Sequence, residues 1–143
     1  MTKQAARLIA LILVISLSLG VLSITAFAGT NSSAYIFMFG ATVSQGSSAG
    51  KIDVDFNITG MGIMDTLGAV WIDVYNSNGT KYTTVLGTVS NGLLIHNDIA
   101  HAGTYTFNCV PGNSYYCEVT LGAAKDGGSD TRTVRSPIIV APT

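Results

Sequence analysis

The sequence predicts an all-β protein, an antiparallel β-sandwich of about seven strands preceded by an N-terminal hydrophobic signal helix. Three observations carry this expectation. Apolar and polar residues alternate with period two over much of the chain beyond Gly29. Asn, Gly, Asp and Pro punctuate those runs at short intervals. Charged residues make up only 10% of the chain, while Thr, Ser, Gly and Tyr are plentiful, a composition that suits strands better than helices.

The first element differs from everything after it. Lys3 and Arg7 form a short positive region, Leu8 to Leu22 is an apolar run, and Ala26-Phe27-Ala28 is a small-x-small site of the kind signal peptidase accepts. Residues 1–28 therefore read as a signal peptide and residues 29–143 as a single β-sandwich domain, large enough for one ordinary core. The uncharged stretch Leu8 to Ala28 is also long enough to span a bilayer as a retained anchor. Ser16, Ser18, Gly20 and Ser23, together with the Ala-Phe-Ala site, favour cleavage. Gly29 follows the site where a lipoprotein would carry Cys. The expected location is secreted or extracellular, or periplasmic in a Gram-negative host, with the membrane met only through the signal segment during export.

Two of the seven Lys and Arg residues lie in that segment, and all eight Asp and Glu residues lie beyond it, so the mature part is net acidic. No run of Lys or Arg offers the counterion release that drives nucleic-acid binding, and nucleic acid is not an expected partner.

Alternation is clearest at Lys51 to Thr59, where Ile52, Val54, Phe56 and Ile58 face one way and Lys51, Asp53, Asp55, Asn57 and Thr59 the other. Ala69 to Tyr75 follows the same logic with Val70, Ile72 and Val74 inward. Asn76-Ser77-Asn78-Gly79 is a hairpin turn with residues that tolerate positive φ, and the chain returns through Lys81 to Leu86. Further strands are expected at Tyr35 to Ser44, around Gly92 to Ile95, at Thr104 to Cys109, at Ser114 to Leu121 and at Thr131 to Val140. Lys125 to Asp130 is read as a polar hairpin tip. Gly60-Met61-Gly62-Ile63-Met64-Asp65 begins like a dinucleotide-binding loop, but lacks the third glycine and the helix, and is read as a loop between strands.

The two cysteines can be placed by parity. Cys109 shares the phase of Tyr105 and Phe107, and Cys117 that of Tyr115, Val119 and Leu121, so both point inward. In an exported protein such a pair is expected to form a disulfide bridge across the core, worth about 2 to 3 kcal/mol for a short loop. Buried free thiols are the alternative. A zinc site is not, because no further ligands are spaced around the pair.

Pro111-Gly112-Asn113-Ser114-Tyr115-Tyr116-Cys117-Glu118-Val119, the Gly127-Gly128 tip and Arg135-Ser136-Pro137-Ile138 together resemble the final strand pair of a fibronectin type III or immunoglobulin-like module. The resemblance spans Lys51 to Val140 and implies the same sandwich. It also implies that Tyr115 caps a corner by hydrogen bonding to upstream backbone. The chain departs from the type III pattern in its cysteine pair and in carrying its sole Trp on the third strand. Leu67 to Tyr75 resembles segments of small uncharacterised secreted proteins of Gram-positive gut bacteria, which imply no function.

Catalytic chemistry has little to work with. His96 and His101 are the only imidazoles, and neither lies near a Gly-x-Ser-x-Gly elbow or a reactive cysteine. Asp53 and Asp55 alternate onto a solvated face, with no neighbour to split their pKa values. His96, Asp98 and His101 have ligand chemistry for zinc or copper, though their spacing matches no helical or hairpin ligand pattern and Asn97-Asp98 is ordinary turn chemistry. The Asn-x-Ser/Thr sequons at Asn31, Asn57 and Asn78 are accidental in a bacterial context.

Parity leaves Trp71 on the solvent side, with Tyr75 four residues on and Tyr116 outward on the strand that pairs with this one in the immunoglobulin-like arrangement. Flat exposed aromatics stack on sugar rings or anchor protein partners, and a covering loop is the structural alternative. The sequence thus points to a secreted non-catalytic binding or interaction module for an extracellular glycan or protein, without a cofactor. A small enzyme or metal-binding protein using His96, Asp98 and His101, and a structural or toxin-like secreted protein, are the alternatives.

Overall fold

A computed structural model of the chain describes residues 33–143. The expected signal segment and cleavage site fall outside the described residues. Among the described residues there is no helix, and nine strands follow one another: β1 (Ile36–Gln45), β2 (Lys51–Met64), β3 (Thr66–Asn76), β4 (Lys81–Leu86), β5 (Leu94–Ile95), β6 (Asp98–Asn108), β7 (Ser114–Lys125), β8 (Gly128–Arg135) and β9 (Ile139–Val140). They form two antiparallel sheets, one ordered β1-β2-β6 and the other β4-β3-β7-β8, with β5 added to β3 and β9 to β7. The inward faces of both sheets share one core, the architecture of a β-sandwich.

β2 supplies Ile52, Val54, Phe56 and Ile58 to that core as its alternation requires. Opposite them stand Ile72 and Val74 of β3 and Tyr115, Cys117, Val119, Leu121 and Ala123 of β7. Both β2 and β7 have strands on either side, so the alternation of Ile52 to Ile58 and of Glu118 to Ala124 is fixed by two ladders at once.

Several expectations about the strands are corrected. Val70 is not a core residue: the ladder to β7 slips between Ala69 and Trp71, so Leu67 and Ala69 point inward, Val70 is the extra residue of a bulge, and Ile72 resumes the inward phase. Gly122 makes room, because a Cβ there would lie 2.5 Å from Val70 Cγ2. Gly60 to Met64 is strand, since β2 runs on to Met64 and Met61 N–H donates to the Tyr35 carbonyl. β6 begins at Asp98 and not Thr104, pairing its first residues with the far half of β2. The tip after β7 is a two-residue turn, with Lys125 opposite Gly128 and Asp126 and Gly127 both at positive φ, the geometry of a type I′ turn.

The Asn76 to Gly79 hairpin uses a different turn. Only Gly79 has positive φ, and Asn76 N–H donates to the Thr80 carbonyl, as in a three-residue loop closed by a glycine bulge. The last strand expected, Thr131 to Val140, is two: β8 and β9 lie in succession along one edge of β7. Ser136 bridges the gap, donating its N–H to the Cys117 carbonyl and accepting the Cys117 N–H on Oγ, while Pro137, with no N–H, falls outside the ladder. Beyond β9 the Pro142 carbonyl accepts from Gly50 N–H (2.7 Å), and that of buried Ala141 from Gly112 N–H (2.9 Å).

Candidate functional site

The outward face of the larger sheet carries the aromatic residues singled out from the sequence. Trp71 stands on it 37% exposed, opposite Leu86 of β4 at 68% and Thr120 of β7. Tyr75 and Tyr116 are directly opposite each other and stacked, with centroids 5.0 Å apart and planes 9° from parallel. The stack is closed at both ends by cations: the Arg135 guanidinium lies 3.9 Å over the Tyr116 ring and the Lys81 ammonium 5.5 Å over Tyr75. Tyr116 is outward in phase yet only 6% exposed, because Arg135 and Tyr75 cover it.

Between this stack and Trp71 lies a polar row. Asp73 is buried, accepts a hydrogen bond from Thr84 and pairs with Lys81 at 2.9 Å, and Glu118 is its neighbour on β7. The hydrogen bond to Asp73 raises the Lys81 ammonium above its ordinary value. Trp71 and Tyr75 are four residues apart, about 13 Å along a strand. The three aromatics therefore do not make one continuous patch.

His96, Asp98 and His101 are held apart by separate duties. His96 Nδ1 lies 2.9 Å from the Asp65 carbonyl and 3.1 Å from Thr66 Oγ1. Asp98 accepts the Ile99 N–H at 2.7 Å. His101 sits opposite Ile58, edge-on to Phe56, with Nε2 2.8 Å from the Gly92 carbonyl. Among the described residues no group of three or more His, Cys, Asp or Glu side chains is placed to hold a metal ion.

The bridge expected between the cysteines is not formed; both are free thiols. Cys117 is buried in β7 of one sheet, whereas Cys109 follows β6 of the other, half-buried, its N–H held by the Gly50 carbonyl at 2.7 Å. They are near enough for Cys117 to feel the charge of Cys109. Burial, and then Cys109, push the Cys117 thiol up to about 12, and burial raises Cys109 as well, so neither is a ready nucleophile. Tyr115 does what the resemblance implies: its ring is fully buried and its hydroxyl accepts the Val110 N–H at 3.0 Å.

One site escaped the sequence reading. Where β4 and β6, edge strands of opposite sheets, run beside each other, a groove of about 520 Å³ opens, lined by Tyr82 to Val85 and Tyr105 to Asn108. Tyr82 is 39% exposed, meets Tyr115 edge-to-face at 5.1 Å and reaches across with its hydroxyl 3.4 Å from the Asn108 carbonyl. Alternation marks these residues as strand but cannot say which two edges become neighbours.

No protein-family model and no curated protein matches the chain.

Proposed function

We propose that the chain is an exported, non-catalytic binding module of immunoglobulin-like or fibronectin type III-like build, whose recognition surface for an extracellular glycan or protein centres on Trp71. The strand order supports the build, since the third strand shares a sheet with the last two long strands, as the C, F and G strands do in that fold. The Tyr115 hydroxyl on Val110 N–H agrees with the tyrosine corner.

The observation that carries the binding reading is the outward, 37% exposed Trp71 set against the exposed Leu86, on a strand paired along both sides. A large apolar ring on a rigid platform costs little ordering entropy when a partner covers it. Tyr75 and Tyr116, bound up with Lys81 and Arg135, support the platform rather than contact the partner.

Trp71 is the sole tryptophan, so its fluorescence reports on this face alone. Screening the secreted protein against a glycan array and a panel of extracellular matrix proteins should give a partner that shifts that fluorescence. Trp71→Ala should abolish its binding and lower stability by less than about 1 kcal/mol, whereas truncation of a core Trp costs about 3 to 5 kcal/mol. A loss in the larger range would make Trp71 a structural residue and end this reading.

A further inference from the structure

We propose that the groove between β4 and β6 is a second binding site, separate from the Trp71 face, and that it takes a neutral oligosaccharide. Its lining contains no charged side chain. It offers instead the rings of Tyr82 and Tyr105 and the polar side chains of Thr83, Thr84, Thr106 and Asn108.

The hydrogen bonds already made at its rim fix what the groove can still do. Thr84 donates its hydroxyl proton to Asp73 and Thr106 donates to Asp53. Each oxygen then has only lone pairs left, and presents an acceptor. Lys51 occupies Asn108 Oδ1, which leaves the amide Nδ2 as the donor end. A rim rich in fixed acceptors complements a ligand rich in hydroxyl donors.

The carboxylates behind the rim, Asp53 and Asp73, are balanced by Lys51 and Lys81, so the surroundings carry no net charge to draw an ionic ligand of either sign. Tyr82 still exposes over a third of its surface after its contact with Tyr115, which leaves ring area for the apolar face of a sugar. An extended peptide is the less suited occupant, because strand addition draws specificity from pockets for alternate side chains and this lining provides hydroxyls. The volume lies within the range of small-ligand sites, about 300 to 1,000 Å³. The smaller depression of about 410 Å³ over Thr42, Asn57 and Gly103 presents no exposed ring, since that of Phe56 is buried.

The test titrates the secreted protein with maltohexaose, cellohexaose, a hexagalacturonate and an unstructured neutral peptide, following backbone amide chemical shifts. At least one neutral hexasaccharide should move the amides of Tyr82 to Val85 and Tyr105 to Asn108. Tyr82→Ala should weaken that binding by about tenfold or more, while Tyr82→Phe keeps it within about threefold and Trp71→Ala leaves it unchanged. Thr106→Val, which keeps the shape and removes the acceptor, should also weaken it and stands in should Tyr82→Ala fail to fold. Shifts confined to Trp71 and Leu86 would overturn this site and leave the Trp71 reading intact. Binding in the groove by hexagalacturonate or the peptide alone, or by none of the four, would overturn the assignment, whatever the outcome at Trp71.

Discussion

A sandwich has two seams where the edges of its sheets meet, and in this protein the two are treated differently. Along the first, β1 lies beside β8 and β9. Gln45 Nε2 donates to the Val140 carbonyl at 2.9 Å, and Tyr35 packs so close to Gly128 that a Cβ there would overlap its hydroxyl. Ser33 hydrogen-bonds Asp130. Along the second, β4 faces β6, and among the described residues the hydrogen bond between these two strands is that of Tyr82 to Asn108 at 3.4 Å, while farther along the His101 ring reaches the Gly92 carbonyl of the link after β4 at 2.8 Å. The difference follows from the path of the chain. The first seam brings together the start of the described chain and its end, while at the second the link from β4 departs to pair β5 with β3 before the chain passes to β6, which leaves the stretch around Tyr82 and Asn108 uncovered by it. An open seam next to a latched one is where a sandwich can hold a ligand without losing its core.

The comparison is broken most severely from the latched side. Deleting Ala141 to Thr143 removes a buried side chain and the carbonyl partners of Gly50 and Gly112, and should cost about 2 to 4 kcal/mol by denaturant unfolding. A loss below about 1 kcal/mol would show that the latch does not hold. Next comes Tyr115→Phe, which strands the Val110 N–H and should cost about 1 to 2 kcal/mol, read from the thermal midpoint. A paired measurement then sets the seams side by side: Gln45→Ala should cost about 0.5 to 1 kcal/mol, and Tyr82→Phe less than about 0.5, since a hydrogen bond of 3.4 Å is near its limit. Equal losses would erase the distinction.

The smallest effect is one of pH. The Ser33 hydroxyl, with help from Arg132, holds the Asp130 carboxyl below the usual carboxylate range, against a desolvation that raises it. A lowered folded pKa means stability that is present above the unfolded value, about 3.9, and is lost as pH falls through the folded one. Asp130→Asn should therefore flatten the acid limb of the stability profile below about pH 4 and change stability at neutral pH only slightly, because an ion pair near the surface is worth little. An unaltered acid limb would remove Asp130 from the seam.

How much of this was legible in the sequence depends on what held each residue in phase. Ile52 to Ile58 could be read one by one, since β2 has a ladder on each side and no irregularity up to Thr59. Val70 could not, because a bulge resets the phase of a strand without altering its composition; the glycine that makes room, Gly122, is fifty-two positions away. Tyr116 was placed on its face correctly, and its burial came from Arg135 on another strand. For the cysteines, parity indicated inward placement but not the bond. The unfolded, unreduced protein should titrate two thiols, and finding none would restore the bridge.

The ties of Pro142 to Gly50 and of Ala141 to Gly112 bear on timing. A ribosome releases the chain N-terminus first, and these bonds join residues 141 and 142 to turns made well before them. Their closure depends on contacts far apart in sequence, a feature that slows β proteins. Native structure at both of those turns must therefore wait until residues 139–142 are in place, and until then β7 lacks β9 as a neighbour.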